Sequence, residues 1–247
     1  MHKPTQRVID ILNFLESKPK KGATQTEISN ETSIPKSTLF PILKTLEENR
    51  FLICEDGYYK IGIMMWCIGQ NFSKSSVILE LIKEKMQEIV KEVNEICQLS
   101  ILTGQYTTYI EKVNPKQPVQ LISSVGKMIP AYATSLGKSL LSNLTYDELK
   151  KIYPNGLTAL TENTITDIDV LYNQIQDIRK YGYSYEVEES MRDIICFAVP
   201  LSHGDEVEYA ISVSIPKYRA TKSKKEKIIK CLLQKKEEIN EIINKFE

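Results

Sequence analysis

Ser212 and Ser214 alternate with Ile211, Val213 and Ile215. In an extended segment this puts both hydroxyls on one face and the aliphatics on the other. A solvated sheet face and a ligand-facing one fit that pattern equally. Cys196 lies in the apolar run Ile194-Ile195-Cys196-Phe197-Ala198-Val199, where a buried, inert thiol is the usual outcome. Gly137-Lys138-Ser139 has the ending of a phosphate-binding loop, but that loop needs glycine where Tyr132 stands and a strand leading into it. Nucleotide binding is excluded on that ground. Residues 134–139 read instead as the opening of a helix, whose free N–H groups suit a small carboxylate. No G-x-S-x-G elbow is present, and His2 and His203 sit in no Cys or Ser constellation. Cys54, Cys67, Cys97, Cys196 and Cys231 are widely spaced, with no CxxC, so neither a disulfide framework nor a structural zinc is expected. No catalytic residue, metal or cofactor is expected.

A second group of polar side chains follows a different logic. Two helices docked across a short turn need a small residue on the first and apolar anchors on both; Ser29 and Ile28, Ile34, Leu39 and Leu43 supply them. Such a motif also needs polar side chains at the start of its second helix, where they meet base edges. Lys36, Ser37 and Thr38 stand there. A small helical bundle with no DNA role is the bland alternative.

The surrounding elements support the motif. Val8, Ile11, Leu12 and Leu15 predict a helix over residues 5–18, stopped by Pro19-Lys20-Lys21-Gly22. Thr24 and Glu27 form a capping box for a short helix to about Thr32. Ser33-Ile34-Pro35 turns the chain into a third helix ending near Asn49, with Leu39, Ile42, Leu43 and Leu46 inward. Phe51–Glu55 and Tyr58–Ile63 are joined by Asp56-Gly57, a hairpin turn in which both positions need positive φ. Helix, helix, turn, helix and hairpin make a winged helix-turn-helix. Residues 1–65 carry nine Lys/Arg against eight Asp/Glu, so this is a weakly charged reader with Lys3, Arg7, Lys36, Lys44 and Lys60 available to one face. The expected DNA-contacting set is Arg7, Thr24, Thr26, Lys36, Ser37, Thr38, Lys44, Tyr58 and Lys60.

Ile78, Ile82, Met86, Ile89, Val93 and Ile96 form a near-heptad stripe that predicts a helix over residues 75–96. It packs either on its own domain or along a seam between chains. Strands are expected at Leu99–Leu102, Thr107–Val113, Val119–Ser123, Tyr183–Val187, Ile194–Leu201 and Val207–Ile215. Helices are expected at Thr134–Leu144, Thr145–Tyr153 (opened by a Thr145/Glu148 capping box), Ile168–Tyr181 and Lys222–Phe246. The chain of 247 residues therefore divides into 1–65, a linker helix region 66–96 and a domain over 97–247. Lys and Arg together match Asp and Glu, so the net charge is zero. A local basic patch suffices for DNA. No signal peptide or apolar run of membrane-spanning length is evident, and a cytoplasmic protein with no membrane partner is expected.

With these residues in place, the chain resembles the IclR family of bacterial regulators from Thr5 to about the final helix. The marks are Ile34-Pro35-Lys36-Ser37-Thr38, Ile42-Leu43-Lys44-Thr45-Leu46-Glu47, Ala133-Thr134-Ser135-Leu136-Gly137-Lys138-Ser139-Leu140-Leu141, Tyr181-Gly182-Tyr183-Ser184, Cys196-Phe197-Ala198-Val199-Pro200 and Ala210-Ile211-Ser212-Val213-Ser214, in family order. The resemblance implies an α+β chain. A winged helix-turn-helix and linker helix precede a GAF-like effector domain with a curved antiparallel sheet flanked by helices. It implies a homodimer, in places a dimer of dimers, that holds a double-stranded DNA operator and responds to a small-molecule effector, a small organic acid or similar metabolite. The implied pocket uses the Ser135-Leu136 backbone, Glu186, Cys196, Ser212 and Ser214, with Leu121, Ile129 and Ile194 as apolar walls. Two positions depart from the family: Pro41 stands where Arg is usual, and Glu186 where Asp is. The run Thr38-Leu39-Phe40-Pro41-Ile42-Leu43 is similar instead to the recognition helix of PadR regulators. The dimer seam is expected at the 75–96 helix or the first helix. The rival reading is a sensor or enzyme module whose N-terminal domain contacts proteins.

Overall fold

The computed structural model describes residues 2–74, 77–116 and 124–246. They fall into two compact units, Met1–Val77 and Ile78–Glu247.

In the first unit, α1 (Lys3–Glu16) is followed by β1 (Ala23–Thr24), α2 (Gln25–Thr32), α3 (Lys36–Glu48), β2 (Leu52–Glu55), β3 (Tyr58–Ile61) and α4 (Ile63–Lys74). The Thr24/Glu27 capping box opens α2, and the left-handed Ser33 (φ 55°) closes it. The Ser29 hydroxyl donates to the Ile34 carbonyl at 2.7 Å, pinning the turn between α2 and α3. Asp56 and Gly57 both take positive φ, 51° and 79°, as the hairpin requires. The three strands form one small antiparallel sheet in the order β1-β3-β2. Ile11, Leu15, Ala23, Ile28, Ile34, Leu39, Leu43 and Leu52 fill the core.

The second unit comprises α5 (Val77–Val93), β4 (Ile96–Thr103), β5 (Tyr106–Val113), β6 (Met128–Pro130), α6 (Ser135–Leu140), α7 (Tyr146–Ile152), α8 (Ile168–Tyr181), β7 (Ser184–Val187), β8 (Ile194–His203), β9 (Glu206–Pro216) and α9 (Lys222–Phe246). Six strands make one curved antiparallel sheet in the order β6-β5-β4-β9-β8-β7. One face carries Cys97, Leu99, Phe197, Val199, Ile211 and Val213, which pack with Ile82, Met86 and Ile89 of α5 and Ile228, Leu232 and Ile239 of α9. The stripe predicted for the 75–96 helix is therefore buried on its own sheet. That helix also ends earlier than expected. Asn94 adopts φ 51°, which breaks the α-helical path, and Ile96 opens β4. The expected strand Val119–Ser123, with its wall residue Leu121, lies outside the described residues. The helix expected to reach Leu144 ends at Leu140, where the Ser142 and Leu144 N–H groups bond three residues back to Ser139 and Leu141.

Candidate effector site and nucleic-acid interface

The other face of the six-stranded sheet is polar and buried. Strand pairing sets Glu186 opposite Cys196, and Cys196 opposite Ser214. The next row runs Ser184, Ala198, Ser212 and Gln98. Since directly paired residues share a face, these side chains form a patch, and α6 lies over it. Leu136 and Leu140 of α6 pack there with Ala198, Ala210 and Tyr109, and the half-buried Ile129 joins them. Ile194 shares the face, two residues along β8 from Cys196, and is buried.

Hydrogen bonds link this patch across the sheet. The Ser214 hydroxyl donates to Gln98 Oε1 at 2.9 Å and lies 3.2 Å from Cys196 Sγ. The Cys196 thiol also meets the Glu186 carboxylate. Glu186 accepts from the Glu189 backbone N–H at 2.8 Å and from the Ser190 hydroxyl at 3.2 Å. Burial nevertheless raises its pKa to about 7, against the pull of the Cys196 and Glu189 donors. Desolvation and the neighbouring Glu186 lift the Cys196 thiol well above its ordinary range, so it is a neutral donor and not a nucleophile. Burial likewise raises the phenol of Tyr109, with Cys196 and Glu186 adding to the effect.

Above the patch, the Thr134 hydroxyl caps the Gly137 N–H at 2.9 Å. A helix start has no intrahelical acceptors for its first N–H groups, and Thr134 supplies one for α6. The Ser135 carbonyl accepts from the Ser184 hydroxyl at 2.7 Å, which also meets Ser139 Oγ at 2.7 Å. Gly137 is fixed by close approach: a Cβ there would stand 2.1 Å from the Ala131 carbonyl oxygen. Lys138 is fully buried and pairs with Glu189 at 2.6 Å. Desolvation lowers its pKa and raises that of Glu189.

The structure thus brings Ser135, Leu136, Glu186, Ile194, Cys196, Ser212 and Ser214 around one face, with Ile129 at its margin. It adds five residues that the sequence reading passed over: Gln98, Ser100, Tyr109, Lys138 and Glu189. Ser100 and Ser212 are at most 1% exposed, and neither hydroxyl has a partner. Such orphaned groups cost free energy unless something else satisfies them. The signal for Gln98 and Ser100 was available, because they alternate with Cys97, Leu99 and Ile101 as Ser212 and Ser214 do with their neighbours.

In the first unit, Lys36, Ser37 and Lys44 are exposed on α3 and Thr38 is half-buried. Lys44 lies 3.8 Å from Glu48, and Lys60 of the wing pairs with Glu55 at 2.7 Å. Half-buried Tyr58 carries the Lys21 ammonium 5.5 Å from its ring centroid. Thr24 is engaged in its capping box, Thr26 is exposed, and Arg7 is half-buried on α1.

A winged helix-turn-helix in one unit and a curved sheet with a buried polar face in the other define a class: regulators that join a DNA reader to a sensing domain. The particular family follows from comparison. Residues 4–52 match the IclR helix-turn-helix domain, and residues 70–241 match the bacterial transcriptional regulator IclR C-terminal domain. The HTH-type transcriptional regulator Rv1719 of Mycobacterium tuberculosis is 31% identical over 216 residues, covering 86% of this chain and 82% of that protein. A transcriptional regulator from Alicyclobacillus acidocaldarius has the same fold, with a TM-score of 0.87, 21% identity and 98% of each chain covered. So does an IclR homologue from Microbacterium hydrocarbonoxydans complexed with 4-hydroxybenzoate, with a TM-score of 0.78, 20% identity, and 97% and 99% of the two chains covered. The chain belongs to the IclR family of bacterial transcriptional regulators; it is a regulator and not an enzyme. Among the described residues, no helix is long and apolar enough to cross a membrane.

Proposed function

We propose that this chain controls a metabolic operon in the cytoplasm, holding an operator through α3 and the β2–β3 wing and releasing or tightening it when a small organic acid or similar metabolite fills the polar face beneath α6. The observation that carries this reading is the pair of buried, unpartnered hydroxyls, Ser100 and Ser212, beside the Glu186–Cys196–Ser214 row. A sheet face built only for stability would satisfy or omit them. On this reading Lys36, Ser37, Thr38 and Lys44 face the major groove. Lys60 and Tyr58 approach phosphates, and Arg7, Thr24 and Thr26 flank them. The apolar neighbours Ile129, Leu136 and Ile194 select the effector by size. An effector acts at a distance only by binding two arrangements of the protein with different affinity.

The test is retardation of the gene's own upstream DNA, repeated with a panel of small organic and sugar acids. At least one acid should change the retarded fraction, and Ser214→Leu should abolish that response while leaving DNA binding within twofold. An unchanged response in Ser214→Leu overturns the site, and no retardation overturns the operator assignment.

Dimerisation belongs to the same proposal, since a two-fold protein matches a palindromic operator. With the α5 stripe buried in its own unit, α4 is the better seam: Ile63, Trp66 and Ile68 are 56%, 61% and 52% exposed. Trp66→Asp should shift the protein from dimer toward monomer at micromolar concentration in sedimentation velocity. An unchanged dimer places the seam elsewhere.

A further inference from the structure

We propose that Phe40, with Pro41 beside it, reads thymine by its 5-methyl group. The inference rests on the reading of α3 as the helix that enters the major groove. Leu39 and Leu43 are fully buried in the unit's core, which fixes the rotation of α3. At 3.6 residues per turn, the side chains opposite them are Ser37, Pro41, Thr45 and Glu48, with Phe40 and Lys44 at one flank. All six are exposed, and Phe40 is 54% exposed. A reader built on hydrogen bonds would present Asn, Gln or Arg in the middle of this face. This chain presents a benzyl group and a pyrrolidine ring.

Pro41 has no N–H, and α3 nonetheless runs through it from Lys36 to Glu48. The outward side therefore carries an exposed apolar pair, Phe40 and Pro41, set along the helix between the cations Lys36 and Lys44. In the major groove of DNA the thymine methyl is the apolar feature that complements such a surface. The two lysines hold phosphates or guanine edges on either side, so Phe40 is brought against base edges and not left in water. Its ring covers one or two methyls, and sequence preference at those positions arises from their burial.

The test changes the DNA as well as the protein. Duplexes are selected from a random library with the full-length chain, and each dT of the selected site is then replaced by dU, which deletes only the methyl. Binding is read by fluorescence anisotropy. For the wild type, dU at one or two positions within a half-site should weaken binding about fourfold per methyl. Phe40→Ala should bind the dT duplex correspondingly more weakly and show no further loss with dU. Lys36→Ala should retain the dU effect in full. The proposal is overturned if dU is neutral at every position, or if dU costs Phe40→Ala as much as it costs the wild type. Failure to enrich any sequence overturns it together with the DNA-reading assignment of α3, and so distinguishes the two failures.

Discussion

Lys138→Met should cost the sensing unit on the order of 3–5 kcal/mol, the usual penalty for removing one partner of a buried ion pair. Lys138 is fully buried, Glu189 is nearly so, and their charged atoms lie 2.6 Å apart. Methionine matches the length and volume of the lysine stem, so the loss comes from charge. The Glu189 carboxylate would be left without its cation, and its Oε2 is already buried without a partner. Docking of α6 makes relief difficult. Gly137 sits against the Ala131 backbone with no room for a Cβ, so the helix cannot lift to hydrate the carboxylate without breaking that contact. Protonation of Glu189 is the easier escape, since burial already raises its pKa. The loss should therefore be larger at pH 8 than at pH 5. Adding Glu189→Gln to Lys138→Met should recover most of it. Eleven of the thirteen tyrosines lie beyond residue 77, so tyrosine fluorescence during urea unfolding follows this unit, while Trp66, the single tryptophan, follows the other. A Lys138→Met protein within 1 kcal/mol of wild type at pH 8 would show the pair to be energetically idle.

Where a local rule decides the conformation, the sequence was a good guide. Asp56-Gly57 allowed one kind of hairpin turn, and the Thr24 and Thr145 boxes opened the helices expected of them. Gly182, at φ 80°, closed α8 where its position required. The end of α5 shows the opposite case. Ile96 stands three residues after Val93 and so continued a helical stripe, yet it belongs to β4. The interruption is one left-handed Asn94, held by strand pairing that places Ile96 opposite Ser214, a partner more than a hundred residues away. That misplaced boundary also hid the place of two residues on the polar face, because Gln98 was read before the strand and Ser100 near its edge. Lys138 was passed over for a related reason. A lysine in a surface helix and one buried against Glu189 have the same sequence context, and the partner lies 51 residues away. The residues that alternate within one strand were legible; those that complete the face from β4, β5 and the loop after β7 depend on the register of the sheet.

Glu186 makes the second large effect, and pH is the variable that exposes it. Its side chain is fully buried and is faced by Cys196 on β8, Tyr109 on β5, Lys138 on α6, and Glu189 and Ser190 in the loop after β7. Burial raises its folded pKa from 4.5 to about 7. The favourable contribution of the protonated form is complete below pH 4.5 and is lost as pH rises through 7, because ionisation inside the fold then costs what it does not cost in the unfolded chain. A glutamine in its place cannot ionise. The stability of Glu186→Gln relative to wild type should therefore climb by about 3 kcal/mol between pH 4.5 and pH 8. Titrating groups that do not face Glu186 cancel in that difference, so a flat difference across the range would show that Glu186 ionises in the fold as freely as in water. The same proton bears on the proposed effector. An organic anion bound beside this row repels an ionised Glu186 and favours its protonated form, so binding should take up a proton near pH 7. Calorimetry in buffers of different ionisation enthalpy should detect that uptake in the wild type and find it absent in Glu186→Gln. A neutral effector would bind with no uptake in either protein, which separates the two ligand classes by proton count alone.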